Sequence, residues 1–96
     1  MAYLHVKATV DDYDDWKSSF EEYHSKRAEF GGKSYQLYQA TDNPNEIVVV
    51  IEFDSEENAR EWSAYLEDEE ELTEPDVADI ELTYLDLVEQ KQLSAV

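Results

Sequence analysis

The 96 residues predict an α+β domain in which strands and helices follow the order β-α-β-β-α-β. Three observations carry the prediction. A period-two apolar run opens the chain, an aromatic stripe at helical spacing follows it, and two further strand-like runs flank an Asn-Pro-Asn turn. A second helical stripe and a last strand-like run complete the order.

Each element has its own signature. From Ala2 to Val10, Leu4, Val6, Ala8 and Val10 alternate with Tyr3, His5, Lys7 and Thr9, which is a strand with one apolar face. Asp11 or Asp12 is placed to cap a helix, and the acids that follow favour its positive end. Tyr13, Trp16, Phe20, Tyr23, Arg27 and Phe30 recur at three- and four-residue steps. They predict one amphipathic helix of about eighteen residues. Gly31 and Gly32 stop it. Lys33 to Ala40 reads as a second strand, Thr41 to Asn45 as a turn, and Glu46 to Phe53 as a third strand paired with the second in a hairpin.

Ile47 to Ile51 is apolar at every position, so this third strand needs cover on both faces. Ser55 caps a second helix, Glu56 to about Glu69, with Ala59, Trp62 and Leu66 as its stripe. The acidic run Glu67 to Glu71 reads as a solvated helix end, and Pro75 breaks the segment. Asp79 to Val88 gives the fourth strand, and Glu89 to Val96 a loose tail or an arm onto a partner. Right-handed crossovers fold this order into a ferredoxin-like four-stranded antiparallel sheet with both helices on one face. The other face then needs a cover, and a second copy of the chain packed sheet to sheet supplies it. The expectation is a single domain over 1–96, with its core in 2–88.

Charge narrows the setting. Twenty-five Asp and Glu stand against seven Lys and Arg, for a net charge of −18. Disorder is one reading of such a charge. A chain that is 42% hydrophobic with clear periodicity argues against it. The preferred reading is a folded domain with an acidic surface suited to molar salt, where screening falls to about 3 Å and self-repulsion fades. An acidic decoy for a nucleic-acid-binding protein is the minor alternative. Direct binding of nucleic acid is not expected, because no basic patch exists to neutralise phosphates. The absence of cysteine excludes disulfides, zinc-thiolate sites and cysteine nucleophiles. No stretch is long and apolar enough to span a membrane, and the start lacks the pattern of a secretory leader, so a cytoplasmic address is expected.

Asp11-Asp12-Tyr13-Asp14-Asp15-Trp16-Lys17 with Phe20, then His24 and Arg27 before Gly31-Gly32, resembles the first helix of the dimeric α+β barrel superfamily. More narrowly it resembles the antibiotic-biosynthesis-monooxygenase-like group. Tyr35 to Tyr38, the Asp42 to Glu46 turn, Ile47 to Phe53 and Asn58-Ala59-Arg60 before Trp62 continue the likeness in order and spacing. With the acid load, it points to a protein of a halophilic archaeon. The resemblance implies a homodimer whose two sheets form a barrel, with a pocket between each sheet and its helices. It also implies oxygenases that need no metal or flavin, haem-handling enzymes and proteins of no known activity. The haem-degrading branch keeps a tryptophan where Trp62 stands, but needs a histidine about ten residues later. Here that place is Leu72, which argues against haem degradation.

Candidate chemistry centres on His24 and Arg27, three residues apart and so on one helix face. A histidine can take a proton near neutral pH and an arginine can hold an enolate oxygen. That pair suits a cofactor-independent monooxygenase, or a cyclase or isomerase, acting on a small aromatic or polyketide-like compound. The plainer alternatives are a histidine bonded to Glu21 or Glu22 and an arginine paired with an acid across a dimer. Tyr23, Tyr35, Tyr38, Trp62 and His5 are the candidate ligand-binding residues. His5 can equally be an interface histidine, Trp62 a core residue, and the tyrosines ordinary strand residues. No metal site is expected, since no carboxylate spacing marks a cation loop. A non-enzymatic dimer that binds a small molecule or a protein remains the second hypothesis.

Overall fold

The computed structural model describes residues 2–68 and 77–93. Within them β1 (Ala2–Val10), β2 (Gly32–Ala40), β3 (Asn43–Phe53) and β4 (Val77–Asp86) form one antiparallel sheet in the order β2-β3-β1-β4. The helices are α1 (Tyr13–Glu22), α2 (His24–Glu29) and α3 (Glu56–Asp68). This is the ferredoxin-like arrangement that the sequence predicts. The expected break at Pro75, the acidic stretch beyond Asp68 and the last residues of the tail lie outside the described residues.

The alternation in β1 and β3 explains why the sheet has one dry face. Leu4, Ala8 and Val10 of β1 are buried with Ile47, Val49, Ile51 and Phe53 of β3. The register sets Leu4 beside Ile51 and Ala8 beside Ile47, so these side chains form one continuous apolar layer. Trp62 and Ala59 of α3 complete it, and Trp62 is almost fully enclosed. Burying an aromatic or branched side chain contributes about 1.5–3 kcal/mol. This layer therefore dominates the favourable side of folding.

Caps fix the helix starts. The Asp12 side chain accepts from the Asp15 amide at 3.1 Å, and Ser55 Oγ accepts from the Asn58 amide at 3.2 Å. Gly31 ends α2 with φ at +93°, a region that costs other residues backbone strain. A side chain there would also meet Asn58 at 2.5 Å. Gly32 opens β2 directly beneath the Arg27 carbonyl, which a Cβ would approach to 2.8 Å.

The structure corrects four boundaries. The single first helix is two, interrupted at Tyr23 (φ −91°, ψ 7°). There the Phe20 carbonyl accepts from the Tyr23 amide at 3.3 Å and from Arg27 Nη2 at 2.8 Å. The arginine side chain thus occupies a carbonyl that an unbroken helix would offer to the residue four places on. The hairpin turn shrinks to Thr41-Asp42, because β3 starts at Asn43, opposite Ala40. β4 runs from Val77 to Asp86, so Leu87 and Val88 lie beyond the strand. It also carries a register shift opposite the Lys7–Thr9 stretch, next to Asp79 at φ 54°.

Candidate functional site

Between the sheet and the helices lies a cavity of about 90 Å³, walled by Leu4, Val6, Ile47 and Val49 below and by Trp16, Phe20, Tyr23 and Trp62 above. The aromatic wall is ordered by ring contacts. Trp16 stacks on Phe20 at 5.1 Å, while Tyr23 meets Trp62 edge-on at 6.2 Å.

Arg27 is the cation of this cavity. Only 6% of the residue is exposed. Its guanidinium sits 3.9 Å from the centre of the Phe20 ring and 5.4 Å from that of Tyr35. It makes no ion pair among the described residues. Burial pushes its pKa below the ordinary arginine value, against a smaller upward pull from Tyr35. One donor is spent on Phe20. The other nitrogens bond no group in the described protein, and none of them is sealed from open space. A buried guanidinium with spare donors is suited to an anionic or enolate oxygen. Ser63 adds a buried hydroxyl, which donates to the Ala59 carbonyl at 3.2 Å and keeps acceptor capacity. Ser19 adds another hydroxyl to the lining.

Arg27 also borders a second hollow of about 90 Å³ on its outer side, shared with His24, Lys33, Ser34 and Tyr35. Arg27 therefore contributes to the lining of both hollows.

The proposed site residues fall into three groups. Tyr23, Arg27 and Trp62 line the inner cavity. His24 and Tyr35 border the outer hollow, and His24 is exposed. His5 and Tyr38 lie elsewhere. Register sets His5 beside Val50 and Tyr38 beside Val48, on the face turned away from the helices. A strand side chain cannot reach both faces, so neither lines the cavity. Tyr38 is half exposed and donates to Gln36 Oε1 at 3.0 Å. Sequence reasoning missed Phe20 and Ser63 as wall residues. Both signals were present. Phe20 precedes Tyr23 and Arg27 by three and seven residues, and Ser63 follows Ala59 by four, which places each on the inward stripe.

Comparison with known proteins places this geometry in a lineage. The profile of the family described as antibiotic biosynthesis monooxygenase matches residues 1–65. Among curated proteins no sequence match is found. A mutant of SnoaB, a cofactor-independent oxygenase from Streptomyces nogalater, superimposes with a TM-score of 0.76 at 16% identity, over 93% of this chain and 94% of that one. A putative antibiotic biosynthesis monooxygenase from Nitrosomonas europaea gives 0.72 at 17% identity, covering 93% of this chain and 100% of that one. A dimeric ferredoxin-like protein from an uncultured marine organism gives 0.63 at 12%, covering 97% and 100%. At such identities the likeness is one of fold. The profile spans well over half of the sequence, and so the chain belongs to the antibiotic biosynthesis monooxygenase family.

Proposed function

We propose that the protein is a homodimeric, cofactor-independent oxygenase for a planar, hydroxylated aromatic or polyketide-like compound. The observation that carries this reading is the Arg27 guanidinium, buried with spare donors at the end of a chamber otherwise walled by aromatic and aliphatic groups. A flat ring system larger than the chamber of about 90 Å³ must part the aromatic wall as it enters, and its enol oxygen then meets Arg27, the one positive charge among the described lining residues. Lowering the energy of the enolate is what oxidation by molecular oxygen requires of a protein without a redox group. In the balanced step a ring methylene and one O2 give a ring carbonyl and one water. The substrate is the reductant and O2 the oxidant. His24 borders the outer hollow and not the chamber, so this proposed proton acceptor reaches the substrate only through an intervening water.

Oxygen uptake with a hydroxylated anthrone tests this. Arg27→Met should lower turnover by roughly a hundredfold, the usual scale for losing an oxyanion donor. Uptake indifferent to Arg27 overturns the reading. One observation favours a second reading, a binding module without catalysis. The described residues that line the inner chamber carry hydroxyls and one guanidinium but no carboxylate or imidazole. Tight binding of the anthrone without oxygen uptake decides for that module.

The dimer is proposed to form through the uncovered sheet face; the marine structural neighbour is itself described as dimeric. The net charge of −18 supports a cytoplasm rich in salt, as in a halophilic archaeon. The melting temperature should then rise steeply as KCl increases to about 1 M, where screening is nearly complete. A melt unaffected by KCl rules out salt adaptation.

A further inference from the structure

We propose that the bond from Arg27 to the Phe20 carbonyl is a latch: it holds the first helical stretch broken at Tyr23, and a ligand oxygen that draws the guanidinium away lets α1 and α2 join into one helix. The ligand's part in this rests on the reading of the inner chamber given above; the latch itself does not.

The break has no cause in the local sequence. From Tyr13 to Phe30 there is neither proline nor glycine. Helices kink at such residues, at bulges, or where a side chain inserts into the ladder of backbone bonds. Here the last applies. Among the described residues no bond joins the His24 amide to the Phe20 carbonyl, and α1 stops at Glu22. That carbonyl accepts instead from Arg27 Nη2 at 2.8 Å, with a longer bond from the Tyr23 amide at 3.3 Å. Past the break the ladder resumes at once, for the Arg27 amide donates to the Tyr23 carbonyl at 2.9 Å. One side chain thus stands in for one backbone donor. Tyr23, at φ −91° and ψ 7°, is a modest rotation away from the helical values of about −63° and −42°.

The exchange is close to balanced. If Arg27 leaves, the Phe20 carbonyl takes the His24 amide, and no backbone group is left bare. Arg27 leaves only for a better acceptor. An enolate oxygen carries a charge that a backbone carbonyl lacks, so its bond to a guanidinium is the stronger one. Packing permits the movement. No residue of α1 is fully buried, and Arg27 is the one buried residue of α2. The movement also reaches the chamber. Phe20 and Tyr23 both wall it, and the guanidinium lies 3.9 Å from the centre of the Phe20 ring. A shift at the junction therefore moves the wall that a flat ring system has to part. The latch makes entry of the ligand and capture of its oxygen one event.

Hydrogen exchange of the His24 backbone amide, read by NMR, tests this. Without added ligand that amide should exchange freely, unlike that of Arg27. Arg27→Met should slow it about tenfold, the population shift worth one hydrogen bond. Arg27→Lys, which keeps a donor, should leave it fast. Saturation with 1,8-dihydroxyanthrone under nitrogen, followed by quenching of tryptophan fluorescence, should slow the wild-type amide to the same extent and add nothing in Arg27→Met. A His24 amide that stays fast in Arg27→Met, with the amide at position 27 still protected, overturns the latch. Should that variant not fold, the wild type decides. A His24 amide that stays fast when quenching shows the anthrone bound overturns the latch and leaves the chamber reading standing. No quenching at all overturns the chamber reading and the ligand's part in the latch.

Discussion

The two faces of the sheet are drawn from the same strands and have opposite characters. On the covered face Leu4, Ile47, Val49 and Phe53 are buried against α3 and its tryptophan. On the other face Val48 and Val50 alternate with them, flanked in register by Lys7 and His5. Val48, Val50 and His5 are only half buried, and Lys7 is exposed. The acids differ as well. On the uncovered face Glu46 pairs with Lys7 at 3.5 Å, and Glu52 accepts from the Tyr3 hydroxyl at 3.3 Å. Burial, and after it the Glu52 carboxylate, hold the Tyr3 phenol above its ordinary pKa. On the outer helix surface Asp14 and Asp15 stand in the open with no ion pair among the described residues. A face on which acids are offset and valines aligned is prepared for contact. A face on which acids stand free is prepared for water.

Substitutions separate these roles. Trp62→Ala on the covered face should cost about 3–5 kcal/mol, through lost transfer energy and the void it leaves. Chemical denaturation in high KCl measures it. A loss near zero would mean that the layer between sheet and α3 does not carry the fold. Val50→Asp on the uncovered face should matter less to the protomer, by about 1 kcal/mol or less. If this face joins two copies, the same change buries two like charges opposite one another, and light scattering should show the mass fall to that of one chain. A dimer that survives Val50→Asp contradicts assembly through this face. The contrast fails if the two substitutions have equal effects on protomer stability.

Much of this was legible in the residues, and the exceptions have physical causes. β1 and α3 were readable because their periodicities are strict, and the starts of α1 and α3 because their caps, Asp12 and Ser55, sit directly ahead of them. The interruption at Tyr23 was not. Tyr23, Arg27 and Phe30 stay on one stripe across it, and periodicity reports which face is apolar, not whether the backbone is continuous. A side chain that reaches seven residues back to the Phe20 carbonyl leaves no mark on spacing. The early start of β3 was hidden for another reason. Asn43 and Pro44 look like turn residues, and their inclusion depends on a register shift at Gln39/Ala40. The faces of His5 and Tyr38 followed from parity alone. Chemical type alone left a pocket role open beside an interface role for His5 and an ordinary strand role for Tyr38, and strand parity sets both away from the helices. The inner chamber itself is a product of layer spacing, which no local pattern encodes.

The position of β1 has a consequence for how the protein is made. Although it precedes every other element, it sits in the interior of the sheet, between β3 and β4. Neither hydrogen-bonding edge can be satisfied until Asn43–Phe53 and then Val77–Asp86 have been synthesised. Pairings this distant along the chain close slowly, and during the wait an apolar strand is open to neighbouring chains. The dense negative charge that follows β1 at Asp11, Asp12, Asp14 and Asp15 then has a use before any tertiary structure exists. It keeps unfinished copies apart.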